Sequence, residues 1–301
     1  MFTTEVLDAG RLATLLALSA TLAVAAPATP ARAADHGDTP LLSMIGRHDA
    51  RITDLHAFVR GDRLVLSLCL DPTVPPEATG YVFASDLDVR IFIDNDSTIS
   101  FDDPVDLATY GGTVLRPEKI AEDITFRIRF DDTGQPNLRT SGLSSRDRAG
   151  IRLFTGLRDD PFIRGPRQER NVAAIVVDIP LDAVLKGQPT LLIWATSRVP
   201  GVRGPFQELG ARSLRSQFPE NDLLNSLPPK AHLRAAGVVP DVVIYDTSRP
   251  AAYPNGRELA DDVVDLVGDP RILANDAPFP TMNDLPFLGG FPYLAEPHPA
   301  P

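Results

Sequence analysis

The sequence predicts a mainly β fold: a β-sandwich-like core with C-terminal helical and irregular decoration. Three observations predict it. The first half alternates apolar and polar residues with a period of two, as half-buried strands do. The middle carries two continuous apolar runs, 172–179 and 191–195, of a length that suits strands buried on both faces. The last part loses alternation and fills with proline, which excludes it from central strands and helix interiors.

In chain order, the first segment is a leader. The apolar run Leu12 to Ala26 is short for a membrane span, and Ala31-Arg32-Ala33 after it fits the small-residue cleavage rule. Residues 1–33 therefore read as a signal peptide cut after Ala33. Glu5 and Asp8 stand where such leaders carry positive charge, which only Arg11 supplies. Residues 34–301 read as a single domain without a transmembrane segment, exported to the periplasm or beyond the cell.

The strands of that domain follow from their patterns. In 62–71, Leu64, Leu66, Leu68 and Leu70 share a face. In 88–94, Val89, Ile91 and Ile93 do the same, and the run ends in Asp94-Asn95-Asp96. In 123–131, Ile124, Phe126, Ile128 and Phe130 face one way while Thr125, Arg127 and Arg129 face the other. Runs 172–179 and 190–196 follow, the second holding the only tryptophan, Trp194. Between them, 180–185 reads as a short helix opening at Pro180. Phe206 to Leu227 reads as weakly helical and interrupted by Pro219. Arg257 to Val267 reads as the best helix, since Leu259, Val263 and Leu266 recur at helical spacing after the Asn255-Gly256 turn. From about residue 274, prolines at 278, 280, 286, 292, 297, 299 and 301 prevent regular structure. Phe279, Phe287, Phe291 and Tyr293 in this tail predict an extended strap packed on the domain.

Composition limits the function. The formal net charge is −11, and cutting after Ala33 removes two acids (Glu5, Asp8) and two arginines (Arg11, Arg32), so it stays −11. Phosphate backbones repel such a chain, so no nucleic-acid partner is expected. The single cysteine, Cys69, excludes an internal disulfide and a CxxC site, and it reads as a small buried hydrophobe. HExxH, GxSxG, P-loop and GxGxxG signatures are all absent.

The candidate chemistry is acidic. Asp94 and Asp96 close a strand and Asp102-Asp103 follow, short-spaced hard ligands of the kind calcium or magnesium takes. The segment lacks the EF-hand glycine, and Asp and Asn also favour plain turns. Asp159-Asp160 follow Arg158 and could equally pair with arginines or cap a turn. Asp261 and Asp265 are four apart, a repulsion of a few tenths of a kcal/mol on a helix face that Arg257, one turn earlier, would relieve. Cleavage after Ala33 would leave Ala34-Asp35-His36 as a new N-terminus, whose amine, amides and imidazole suit copper or nickel in square-planar geometry. Docking of His36 into the fold is the plainer alternative.

Six stretches resemble the bacterial family called domain of unknown function 4331. They are Asp35–Pro40 (DHGDTP), Ile52–Phe58 (ITDLHAF), Ile91–Asp96 (IFIDND), Arg158–Phe162 (RDDPF), Val239–Val243 (VPDVV) and Tyr253–Asp265 (YPNGRELADDVVD). In order, they cover nearly the whole of 34–301. Members commonly begin with a Ser-His-Arg-Glu-Ala-Pro type of segment; here His36 keeps the histidine, while Gly37 and Asp38 stand where Arg and Glu would be. The resemblance implies export and a shared domain, and it implies no activity. The positions shared with the family, His36, Asp38, Asp54, Asp94, Asp96, Asp159, Asp160, Asp261 and Asp262, could form one cation site or the turn-and-cap framework of the fold. The expected function is an exported β domain that binds a ligand or divalent cation. The alternatives are a hydrolytic enzyme without a local motif and a structural or assembly protein of the cell envelope.

Overall fold

The computed structural model describes residues 40–161, 169–201, 204–212, 221–263, 266 and 282–301, all within the unit Ala33–Pro301. The predicted leader, His36, Asp38, Phe279, Pro278 and Pro280 lie outside the described residues.

Among the described residues the strands are β1 (Ile52–Arg60), β2 (Arg63–Leu70), β3 (Asp88–Asp94), β4 (Ile99–Ser100), β5 (Thr113–Val114), β6 (Ile124–Phe130), β7 (Pro136–Ser141), β8 (Arg152–Asp159), β9 (Asn171–Pro180), β10 (Thr190–Val199), β11 (Phe206–Gly210) and β12 (Val243–Asp246). Five short helices join them: α1 (Pro40–Met44), α2 (Pro104–Tyr110), α3 (Ser145–Ala149), α4 (Asn221–Ser226) and α5 (Pro229–Ala236). The molecule is mainly β and its pairings are antiparallel. All five runs expected to be strands are strands, as β2, β3, β6, β9 and β10.

Two sheets share one core. The first has the order β1-β2-β9-β8; the second runs β11-β10-β3-β6-β7, with β12 also pairing with β10. β10 is long enough for two partners on one edge, β11 along 195–199 and β12 along 190–193, with β3 on the other. Leu64, Leu66 and Leu68 of β2, Ile175 and Val177 of β9, Ile91 and Ile93 of β3, and Ile124 and Phe126 of β6 belong to a single buried cluster. This face-to-face burial is what period-two alternation provides. β9 is buried along nearly its whole length, as its unbroken apolar run requires.

β1 and β2 form a hairpin in which Arg60 pairs with Arg63 across Gly61-Asp62. Gly61 has φ of +62°, the left-handed conformation a two-residue hairpin turn needs. The short helix expected after Pro180 is a single 3-10 turn, Leu181–Ala183.

Two expectations hold only in their later parts, at α4 (Asn221–Ser226) and from Val263. The segment 206–227 begins as strand β11, not helix, because residues 206–210 extend along the edge of β10. Residues 257–262 are not helical either. The Arg257 backbone exchanges two hydrogen bonds with Ala57 of β1, at 2.9 and 3.1 Å, which a helix would forbid. The Asp261 carboxylate accepts from the backbone N–H groups of Tyr253 (2.9 Å) and Glu258 (2.8 Å) and folds the segment into turns. Leu259 and Val263 are buried; helical conformation begins only at Val263, where the Leu266 N–H donates to the Asp262 carbonyl at 3.1 Å, and residues 264, 265 and 267 lie outside the described residues. Arg257 does not relieve Asp261; it forms an ion pair with Asp54 at 2.9 Å.

The chain end crosses the outer face of the four-stranded sheet. Tyr293, Leu294 and Ala295 are buried there. The Tyr293 ring meets Phe58 edge-on at 6.0 Å, and its hydroxyl donates to Asp178 of β9 at 3.1 Å. Further along, His298 and Asn171 are joined by two hydrogen bonds: the His298 N–H donates to Asn171 Oδ1 (2.8 Å) and Asn171 Nδ2 donates to the His298 carbonyl (3.1 Å).

Candidate metal centre

The strap brings a histidine to the end of β8. Asp159, the last residue of that strand, is 1% exposed. Its Oδ2 accepts from Asn283 Nδ2 at 2.6 Å. Its Oδ1 lies 3.1 Å from His298 Nε2, which in turn lies 3.4 Å from Asp284 Oδ2. Asp159, Asp284 and His298 can each offer one ligand atom, and the three atoms lie within 4.8 Å of one another. A shallow cleft lined by Pro76, Glu169, Asp284, His298, Pro299 and Pro301 opens beside them.

Two features separate this cluster from an ordinary acidic turn. Asp159 Oδ1 and His298 Nε2 are both buried and stand 3.1 Å apart, outside hydrogen-bond geometry. Only a proton or a cation between them gives both lone pairs a partner. Burial also pushes the Asp159 carboxyl up to about 8; the Asn283 hydrogen bond opposes this, and the charges of Asp284 and Asp160 add to it. A carboxylate held under such pressure gains from a neighbouring cation.

Of the nine positions singled out in the sequence, His36 and Asp38 lie outside the described residues, and the seven described ones fall in separate places. Asp54 is buried in β1 and pairs with Arg257. Asp94 and Asp96 meet Asp123 in a second acidic group. Asp94 there accepts four hydrogen bonds, from the N–H groups of Asp96, Ser97 and Ala121 and from the Ser97 hydroxyl. Lys186 offsets part of the charge of this group, with Nζ 3.0 Å from Asp96 and 3.7 Å from Asp123. That arrangement is a self-satisfied strand end. Asp103 caps α2, accepting from Val105 and Asp106 N–H groups. Asp160 is buried beside Asp159, Asp261 holds the turns at 253–258, and Asp262 stands next to it, half-buried. Arg158 pairs with Glu296 of the strap rather than with its acidic neighbours.

Sequence reasoning missed Asp284 and His298. The only available signal was a histidine inside the run Glu296-Pro-His-Pro, in a tail expected to pack. The other described histidines have structural surroundings. His48 bonds Arg51. His232 Nδ1 accepts from the Asp241 N–H. His56 shares a sheet face with Asp54 and pairs with Ser67, but all three are fully buried, which gives a substrate no access.

Among the described residues no helix is long and apolar enough to cross a membrane. No protein-family model matches the chain, and no curated protein matches it either.

Proposed function

We propose that this chain is a divalent-cation-binding β domain whose C-terminal strap completes the site, with Asp159, Asp284 and His298 as ligands. The observation that carries this reading is the convergence of Asp159 Oδ1, His298 Nε2 and Asp284 Oδ2, three ligand atoms within 4.8 Å of one another around a buried carboxylate. The separations of 3.1 and 3.4 Å are those of neighbouring ligand atoms around a tetrahedral ion, which stand roughly 3.3 Å apart when the bonds are about 2.0 Å long. One imidazole nitrogen and two carboxylates suit zinc or manganese better than the calcium or magnesium that acids alone would suggest. The cleft beside Asp284 leaves an open side for water or a small ligand. Asn283, which holds Asp159 Oδ2, is the outer partner that orients the carboxylate.

Calorimetric titration of the chelator-treated full chain with zinc and with manganese tests this. One saturable site is expected. Asp159→Asn, Asp284→Asn and His298→Ala should each lower the affinity at least tenfold, and Asp96→Asn should leave it unchanged. Absence of binding, or variants that bind like the wild type, contradicts the reading.

Export belongs to the same reading. The apolar run ending in Ala31-Arg32-Ala33 supports a leader, and the order of six motifs supports membership of the family called domain of unknown function 4331. Secreted protein should begin at Ala34 on N-terminal sequencing; a Met1 start contradicts it.

A further inference from the structure

The outer face of the six-stranded sheet carries a field of arginines in a chain of net charge −11. Strand register sets Thr196, Arg90, Arg127 and Arg139 in one row across β10, β3, β6 and β7. The next row holds Arg198, Asp88, Arg129 and Asn137. Residues two apart on a strand share a face, so these eight side chains stand together. The alternate residues Val89, Ile91 and Ile128 are fully buried in the core, which turns the arginine rows outward.

Charge in this patch does not balance. Arg90 and Arg127 each grip Asp88 with two nitrogens. Nη2 donates to Oδ2 at 2.9 and 2.6 Å, and Nε donates to Oδ1 at 3.2 and 3.0 Å. Both oxygens then carry two donors, which fills the capacity of a carboxylate. Arg198, the register partner of Asp88, is left over. Its Nε is buried without a hydrogen-bond partner, and so is the hydroxyl of Thr196 two residues earlier on the same face. Burial, together with the positive charge of Arg90 and Arg127, pushes the Arg198 guanidinium down from its usual value. Around Asp88, the three guanidiniums of Arg90, Arg127 and Arg198 against one carboxylate leave +2, and Arg129 and Arg139 in the same two rows add to it.

We propose that this face binds an oxyanion, a phosphate or sulfate group, held by Arg198 together with Arg90, Arg127 and the Thr196 hydroxyl. Guanidinium forks match the spacing of tetrahedral oxyanion oxygens, and several forks converging on one dianion relieve their mutual repulsion. The one carboxylate present is already saturated, so the missing acceptors come from outside the chain.

The test uses the full chain with chelator present, which silences the cation centre. Melting temperature and the emission of Trp194 are followed against inorganic phosphate, against glycerol phosphate, and against chloride at matched ionic strength. Trp194 is the only tryptophan and stacks on Phe92 at 5.2 Å, one row from Arg90 and Thr196. A saturable phosphate effect that chloride does not reproduce is expected. Arg198→Gln should weaken it at least tenfold, and Arg249→Gln, outside these rows, should not. Response to both phosphates shows that the group alone is recognised; response to the ester alone shows recognition extending beyond it; response to neither overturns the proposal, as does an Arg198→Gln chain that responds like the wild type. Should Arg198→Gln fail to fold, phosphorus line broadening with wild type and with Arg198→Lys decides: broadening lost in the lysine variant supports the site, and none with wild type overturns it.

Discussion

Asp178 stands two residues before the end of β9 with no exposure, and three segments converge on it. Arg63 of β2, Arg152 of β8 and the Tyr293 hydroxyl all donate to its carboxylate. A charge is tolerated there because charge-assisted bonds replace the water it lost. Asp178→Asn should cost about 2–4 kcal/mol in denaturant unfolding, and Tyr293→Phe about 1 kcal/mol. A larger loss from the tyrosine would contradict this ordering. Asp88 gives the pH dependence. Burial pushes its carboxyl up, but the hydrogen bonds from Arg90 and Arg127 outweigh burial and hold it at about 2, below the usual 3.8. A depressed value means that its stabilisation is present above about pH 4 and is lost as pH falls toward 2. The melting-temperature gap between wild type and Asp88→Asn should therefore persist from pH 5 to 7 and close between pH 4 and 2.

Among the elements, the strap is the one whose role the sequence only outlined. Leu294 is fully buried as part of the core cluster, and Leu294→Ala should cost about 2–4 kcal/mol by leaving a cavity there. At α2, Asp103 caps the start and Gly111 ends the helix with φ of +83°. A Cβ at Gly111 would stand 2.5 Å from the Pro254 carbonyl oxygen, so Gly111→Ala should cost about 2 kcal/mol or more. Strands β2, β3, β6, β9 and β10 were legible because alternation and unbroken apolar runs report burial directly. β1 was not, because its polar residues Asp54 and His56 lie on a buried face, and a polar residue in a sequence reads as exposed. The non-helical start of the expected helix, residues 257–262, has a related cause. Leu259 and Val263 are four apart, but a hydrogen bond from the Glu258 N–H to the Asp261 carboxylate and a backbone bridge from Arg257 to Ala57 set the conformation of 257–262, and neither has a periodic signature.

At the scale of the whole molecule, two readings of its acids competed in the sequence, a single cation site and a framework of turns and caps. Asp94, Asp103 and Asp261 belong to the framework, and Lys186 attends Asp96. Asp159 is the exception, and its partners come from more than a hundred residues away, a distance that local motifs cannot report. The central claim is that Asp159, Asp284 and His298 hold a cation, and a ligand that binds only the folded state raises its stability, by about 2.7 kcal/mol at a hundred times the dissociation constant. The most direct measurement is the melting temperature of wild type and His298→Ala, each with chelator and then with zinc restored in excess. The account predicts that chelator lowers and zinc restores the wild-type value, while His298→Ala is indifferent to both. A wild-type melting temperature unmoved by either treatment, or a His298→Ala chain that responds as the wild type does, would contradict it.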